Sequence, residues 1–271
     1  MESSPPSGAA PVRVSDTDGV RLVTFARPEA LNAFNRSLYE AVAAALADAA
    51  ADPAISVVVI TGEGRAFSAG QDLKELSDLA AAATGDAQGA FGGQGDPSGF
   101  SSLFEVLAEF PKPLLAAVNG LGVGLGLTIL GHCDLVLVDE GARLRVPFTE
   151  LGVAPEAASS YLLPLRMGWQ AAAHLLLTSE WIDAETAVGS GLAWKRCPAG
   201  TVLDETLTVA RRIASFPLAS LVATKKVMLD AHRDAVRAAV TRESAAFAAL
   251  LGGTDNTAAL GAFTSRRSTR P

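Results

Sequence analysis

The chain has 271 residues, enough for one large domain or a main domain with a helical appendage, and at that size a core is buried without disulfide or metal staples. A net charge of −7 and a pI near 5.0 argue against a general nucleic-acid surface while still allowing a local basic pocket for cofactor phosphates. Hydrophobic residues make up 49%, much of it alanine, and no apolar stretch reaches the roughly 20 residues of a membrane span.

Residues 1–11 are rich in Ser, Pro and Ala and lack an apolar targeting core, so they read as a disordered tail, with a reducing cytoplasm as the expected location. Val12–Val14 and Val20–Phe25 flank the polar run Ser15–Gly19 and predict a β-hairpin. Asn35 or Ser37 caps a helix ending near Ala51, and Ile55–Thr61 is a buried strand closed by Gly62. Gly64–Gly70 reads as a loop, Leu73–Ala83 as a helix, and Gly85–Gly99, with six glycines, as a mobile segment. Helix then resumes over Ser102–Phe110. Leu114–Val118 and Leu135–Val138 are further strands around a glycine-rich helix, Gly124–Gly131. Strands alternating with helices predict crossover units and a mostly parallel sheet. Beyond Pro155 helical spacing dominates, over 158–167, 170–177, 184–188, 202–215, 219–231 and 233–251, and the basic end from Ser265 is expected to fray. No internal repeat is visible.

Two glycine-bearing loops follow buried strands, Arg65–Lys74 and Asn119–Leu127. Glycine admits close backbone approach, and a helix start offers free N–H groups. A dinucleotide fingerprint does not fit, because the second loop lies mid-chain and Asp139 follows too soon, at the end of an apolar strand. A phosphate-binding Gly-Lys-Ser/Thr is absent, and no Gly-x-Ser-x-Gly accompanies Ser159-Ser160. Cys133 and Cys197 lack metal-ligand spacing and read as reduced structural thiols. His132 reads as structural, and His174 and His232 as fillers without partners.

The segments Arg27-Pro28-Glu29-Ala30-Leu31-Asn32-Ala33, Gly64–Lys74, Lys112-Pro113 through Asn119-Gly120, and Cys133-Asp134 stand in an order and spacing that resembles the enoyl-CoA hydratase/isomerase (crotonase) family over residues 12–260. The resemblance implies an α/β crotonase (ClpP-like) spiral of ββα units, with a core over 12–200 and a C-terminal helical trimerisation region over 201–271. It implies an acyl-CoA thioester as the bound partner, with coenzyme A part of the substrate and no separate cofactor or metal. A homotrimer or dimer of trimers is expected, with no nucleic-acid or membrane partner. By the same resemblance the N–H groups of Gln71 and Leu125 form an oxyanion hole. Lys74 reaches toward coenzyme A, and Ala30, Ala66 and Ala69 make backbone contacts with it. Lys225-Lys226 either approach the coenzyme A phosphates or form a solvated helix face. Phe67, Phe91, Phe100, Phe104 and Trp169 are candidates for an acyl pocket, or ordinary core.

Family hydratases carry two glutamates that position a water. The corresponding positions are Thr128 and Phe148, which cannot hold or deprotonate one. The run Pro147-Phe148 … Pro155-Glu156-Ala157-Ala158-Ser159-Ser160 is instead similar to that of peroxisomal-type Δ3,Δ2-enoyl-CoA isomerases, which implies Glu156 as the single catalytic carboxylate and Phe148 as a substrate-binding residue. Ala157 stands where those relatives have glycine, and Glu150 is a secondary carboxylate candidate. The expected activity is movement of a 3-enoyl-CoA double bond to the 2-position. Alternatives are weak hydration, dienoyl isomerisation, decarboxylation, or acyl-CoA binding without catalysis.

Overall fold

A computed structural model describes residues 10–83 and 99–268. The N-terminal tail to residue 9, most of the glycine-rich segment 85–99 including Phe91, and residues 269–271 lie outside the described residues.

The first hairpin pairs β1 (Val12–Thr17) with β2 (Val20–Phe25) through a two-residue turn. Asp18 and Gly19 both take positive φ, 52° and 75°, the geometry that suits the twist of paired strands. Ser15, Asp16 and Thr17, expected in the turn, therefore extend the strand. Asn35 caps α1 (Arg36–Ala51) by accepting the N–H of Leu38. β3 (Val57–Gly62) follows, then β4 (Ala66–Ser68), a short strand where a loop was expected, then α2 (Leu73–Ala83). After the glycine-rich segment come α3 (Phe100–Ala108), β5 (Leu114–Val118), β6 (Leu121–Val123), α4 (Leu125–Thr128) with a 3-10 turn over Ile129–His132, β7 (Leu135–Asp139) and β8 (Arg143–Arg145).

The remaining elements are α5 (Ser159–Thr178), β9 (Ile182–Asp183), α6 (Ala184–Gly189), β10 (Lys195–Cys197), α7 (Val202–Ala214), α8 (Leu218–Asp230), α9 (Arg233–Leu250) and α10 (Thr254–Ser268). The break expected between residues 167 and 170 is a kink at Gly168, whose φ of 75° and ψ of 160° interrupt α5. Strands β8, β9 and β10 and helix α10 were not foreseen, and the C-terminus stays helical through Ser268 rather than fraying from Ser265. The strands are two or three residues long, too short for alternation to register, and their partners are remote in sequence.

Six strands form one sheet in the order β1-β2-β3-β5-β7-β10, parallel except for the hairpin. Four short strands form a second, β4-β6-β8-β9. Each of the pairs β3/β4, β5/β6 and β7/β8 contributes its first strand to the large sheet and its second to the small one, so the chain winds as a spiral of repeating units. The central strands β3, β5 and β7 are near-continuous apolar runs because both of their faces are covered, whereas the edge strands β1 and β10 carry exposed polar residues. Val58, Ile60, Ala116 and Val138 pack in the main core with Leu38 and Val42 of α1 and Leu103 of α3. The alternate residues Val57, Val59, Leu115 and Leu137 pack in a second core closed by Val202 and Ala210 of α7.

Among the described residues no helix is long and apolar enough to cross a membrane. Cys133 and Cys197 are free and buried. Lys225 is neither solvated nor directed at a cofactor. It is 5% exposed, donates to Asp134 Oδ2 and Lys112 O at 2.8 Å each, and lies over the Phe110 ring, while Lys226 pairs with Asp230 at the surface. His174 and His232 also have partners, Glu180 and the Tyr161 hydroxyl respectively.

Candidate active site

The end of β4 and the end of β6 lie side by side in the small sheet, which brings the two glycine loops together. Gly70 adopts φ 86°, and a Cβ there would sit 2.5 Å from Val123 O and 3.4 Å from Leu125 N. The following N–H groups, those of Gln71 and Leu125, are not spent in turn, loop or cap hydrogen bonds among the described residues. The first loop is held from below by Asn32. Its fully buried amide donates to Glu63 O and Ala66 O at 2.9 and 2.8 Å and accepts the N–H of Arg27. On the facing side, Arg27 also pairs with Asp72 at 3.3 Å, next to Gln71.

A cavity of about 500 Å³ opens over these loops. Of the residues singled out from the sequence, Ala30, Ala69, Gln71, Leu125, Phe148 and Glu156 line it. Ala66 does not. It is 1% exposed and its carbonyl accepts from the Asn32 amide. Lys74 is exposed on α2, outside the lining residues. The Gln71 side chain accepts from the Tyr39 hydroxyl, and its buried Nε2 has no hydrogen-bond partner among the described residues.

Glu156 is 7% exposed and, among the described residues, no hydrogen-bond donor reaches its carboxyl. Burial, reinforced by the charge of Glu243, pushes its pKa up to about 8. It also lines a small cavity of about 20 Å³ with Phe100, Phe104, Glu243 and Phe247. Two further carboxylates adjoin the large cavity, and both are engaged. Asp72 pairs with Arg27, and Glu150 pairs with Arg145, whose guanidinium stacks 5.3 Å over Trp181. Thr128 is fully buried outside the cavity, and its hydroxyl lacks a partner among the described residues. Phe67 belongs to the core, Phe100 and Phe104 to the small cavity, and Trp169 is 73% exposed. Glu243 and Phe247 of α9, and Arg145 and Trp181, escaped notice in the sequence. Their place is set by packing between distant elements, and no local motif marks them. Among the described residues no three His, Cys, Asp or Glu side chains cluster as metal ligands.

Residues 15–270 match the family model described as enoyl-CoA hydratase/isomerase. The chain is 33% identical to enoyl-CoA delta isomerase 2 of Rattus norvegicus, over 84% of this chain and 56% of that protein. A crystal structure of an enoyl-CoA hydratase/isomerase from Pseudoalteromonas atlantica superposes with a TM-score of 0.85 at 33% identity, covering 94% of this chain and 97% of the other. An enoyl-CoA hydratase from Mycobacterium marinum is 48% identical, with a TM-score of 0.71 over 81% of this chain and 99% of that one.

Proposed function

The chain belongs to the enoyl-CoA hydratase/isomerase family, whose members act on acyl-CoA thioesters, and from that premise we propose that it shifts the double bond of a 3-enoyl-CoA to the 2-position. The observation that carries the proposal is Glu156, among the described residues the single uncommitted carboxyl lining the cavity that also holds Gln71 and Leu125, whose backbone N–H groups are free of turn, loop and cap bonds there.

In the proposed mechanism the thioester carbonyl accepts from both N–H groups. Ionised Glu156 takes a proton from C2, and the C–H electron pair forms the C1–C2 double bond as the carbonyl π electrons move onto oxygen. The dienolate oxygen is stabilised by the two donors. Each such donor is worth about 10²–10³ in rate. The electrons then return from oxygen, C2–C3 becomes the double bond, and C4 takes the proton back from Glu156. Protons and electrons balance within the substrate, so the reaction needs no redox cofactor and no metal. A carboxyl whose pKa lies near the working pH suits a group that must first accept and then donate.

Thr128 and Phe148 offer no second carboxylate to hold a water, which supports isomerisation over hydration. Ala30 and Ala69 at the cavity mouth, with exposed Lys74 nearby in sequence, are the proposed coenzyme A contacts. Self-association belongs to the same proposal. Trp169, Leu177, Val227 and Met228 are all more than 60% exposed and fit burial against further copies of the chain.

The test compares a medium-chain 3-enoyl-CoA with the matching 2-enoyl-CoA, using wild type and Glu156→Gln. Conversion of the 3-enoyl thioester that collapses in the variant, with negligible hydration of the 2-enoyl thioester, is expected. Hydration as fast as isomerisation, or isomerisation that survives Glu156→Gln, would overturn the proposal.

A further inference from the structure

Glu156 ends a loop whose next two residues, Ala157 and Ala158, both adopt left-handed φ, 63° and 56°. Two consecutive alanines in this region cost about 1–2 kcal/mol each and persist only where the surroundings hold them. The peptide group joining them is held at both ends. Its carbonyl, Ala157 O, accepts from His132 Nε2 at 2.9 Å, and its N–H, on Ala158, donates to Glu243 Oε2 at 2.7 Å. The other oxygen of Glu243 accepts the N–H of Ser160 at 2.7 Å. Glu243 comes from α9, 85 and 83 positions away in sequence, and is 5% exposed. It lines the small cavity together with Glu156.

We infer that Glu243 is a positioning residue for Glu156: by taking the N–H groups of Ala158 and Ser160 it fixes the left-handed turn that aims the base, and it keeps a second buried negative charge beside it. The inference rests on the proposed catalytic use of Glu156. The two carboxyls differ in surroundings. Burial raises the Glu243 carboxyl above its ordinary value, and its two amide donors at the N-terminus of α5 oppose that by favouring the charged form, whereas no donor reaches Glu156 among the described residues. Negative charge on Glu243, held by those two donors, adds to burial in raising the affinity of Glu156 for its proton.

The other charged groups nearby do not reverse this. Arg242 lies on α9 itself, and His132, against the other end of the clamped peptide, is kept neutral by burial, with its pKa down at about 4 and Arg166 and Lys225 facing it. A neutral His132 whose Nε2 meets a carbonyl carries its proton on that nitrogen and donates. The clamp thus uses one neutral donor and one charged acceptor on a single peptide.

The test is Glu243→Gln, whose amide removes the charge and cannot accept both N–H groups. Expected are a kcat lower by about tenfold or more, a KM for the 3-enoyl-CoA within about twofold of wild type, and an alkaline-rising limb displaced to lower pH by about one unit. A substrate-free readout accompanies it. The infrared band of the protonated Glu156 carboxyl, assigned by its loss in Glu156→Gln, should titrate at lower pH in Glu243→Gln. A folded variant with wild-type kcat and an unmoved band overturns the inference, whatever substrate the enzyme uses. If the band moves but no 3-enoyl-CoA is converted by wild type, the inference about Glu243 stands and the proposed reaction fails. Should Glu243→Gln fold poorly, Ala157→Gly/Glu243→Gln relaxes the turn. An unmoved titration in the double variant, relative to Ala157→Gly, likewise overturns the inference.

Discussion

A Cβ on Gly70 would lie 2.5 Å from the carbonyl oxygen of Val123, so these two residues set how closely the two donor loops approach. The contact is with backbone on both sides, and Gly70 holds φ 86°, so neither rotamer change nor small adjustment relieves it. Gly70→Ala is therefore expected to spread the Gln71 and Leu125 N–H groups. The predicted outcome is a loss of kcat of about 10² or more, with stability lowered by about 1–3 kcal/mol. Steady-state kinetics and denaturant melts of the same preparation check both halves.

Stability should fall as pH rises from about 6.5 to about 8. The folded Glu156 carboxyl titrates at about 8 against an ordinary 4.5, so the folded state keeps a proton that the unfolded chain releases. Its contribution is complete below pH 4.5 and is lost as pH climbs through 8. His132 acts oppositely. With its folded pKa at about 4 against 6.5, it adds stability as pH rises through that interval and changes nothing above it. The window from 6.5 to 8 therefore belongs to the Glu156 carboxyl. A decline of about 2 kcal/mol is expected there, and Glu156→Gln should flatten most of it. Urea melts across that range decide the matter, and a wild-type curve that rises would contradict it.

Ala157→Gly tests the strained turn directly. Glycine removes a left-handed penalty of about 1–2 kcal/mol and restores about 0.4–1 kcal/mol of unfolded-chain entropy, so a net gain of up to about 1 kcal/mol is expected. Activity should stay within a few-fold of wild type, since the N–H groups that bind Glu243 remain. A loss of stability would mean that Ala157 makes a packing contribution larger than its strain.

Lys225 and Lys226 should respond in opposite ways to truncation. Lys225→Met leaves Asp134 without its cation and Lys112 O without a donor in a buried setting, for a loss of about 3–5 kcal/mol. Lys226→Ala removes only an exposed pair with Asp230, and a change below about 1 kcal/mol is expected. Thermal melts of the two variants make the comparison.

What the sequence by itself determined was local. The two glycine loops, the cap Asn35 and the buried strands β3, β5 and β7 each carry their signal within a dozen neighbouring residues, in turn chemistry, helix capping or continuous apolar runs, whereas Glu156 was singled out only through the family resemblance. The family resemblance implied one site for Gln71, Leu125, Phe148 and Glu156, and all four line one cavity. The tertiary structure alone decided which groups stand behind that site. Glu243, Phe247 and His132 reach it from elements far off in the chain, and a glutamate in a helix reads as surface until the fold buries it against two free amides. The repeat of ββα units was implied by the family resemblance but invisible in the residue pattern itself, because its second strands are three residues long and differ in composition. Pairing in the small sheet, and the pKa of Glu156 with it, depends on burial and on charge across space, which no stretch of sequence contains.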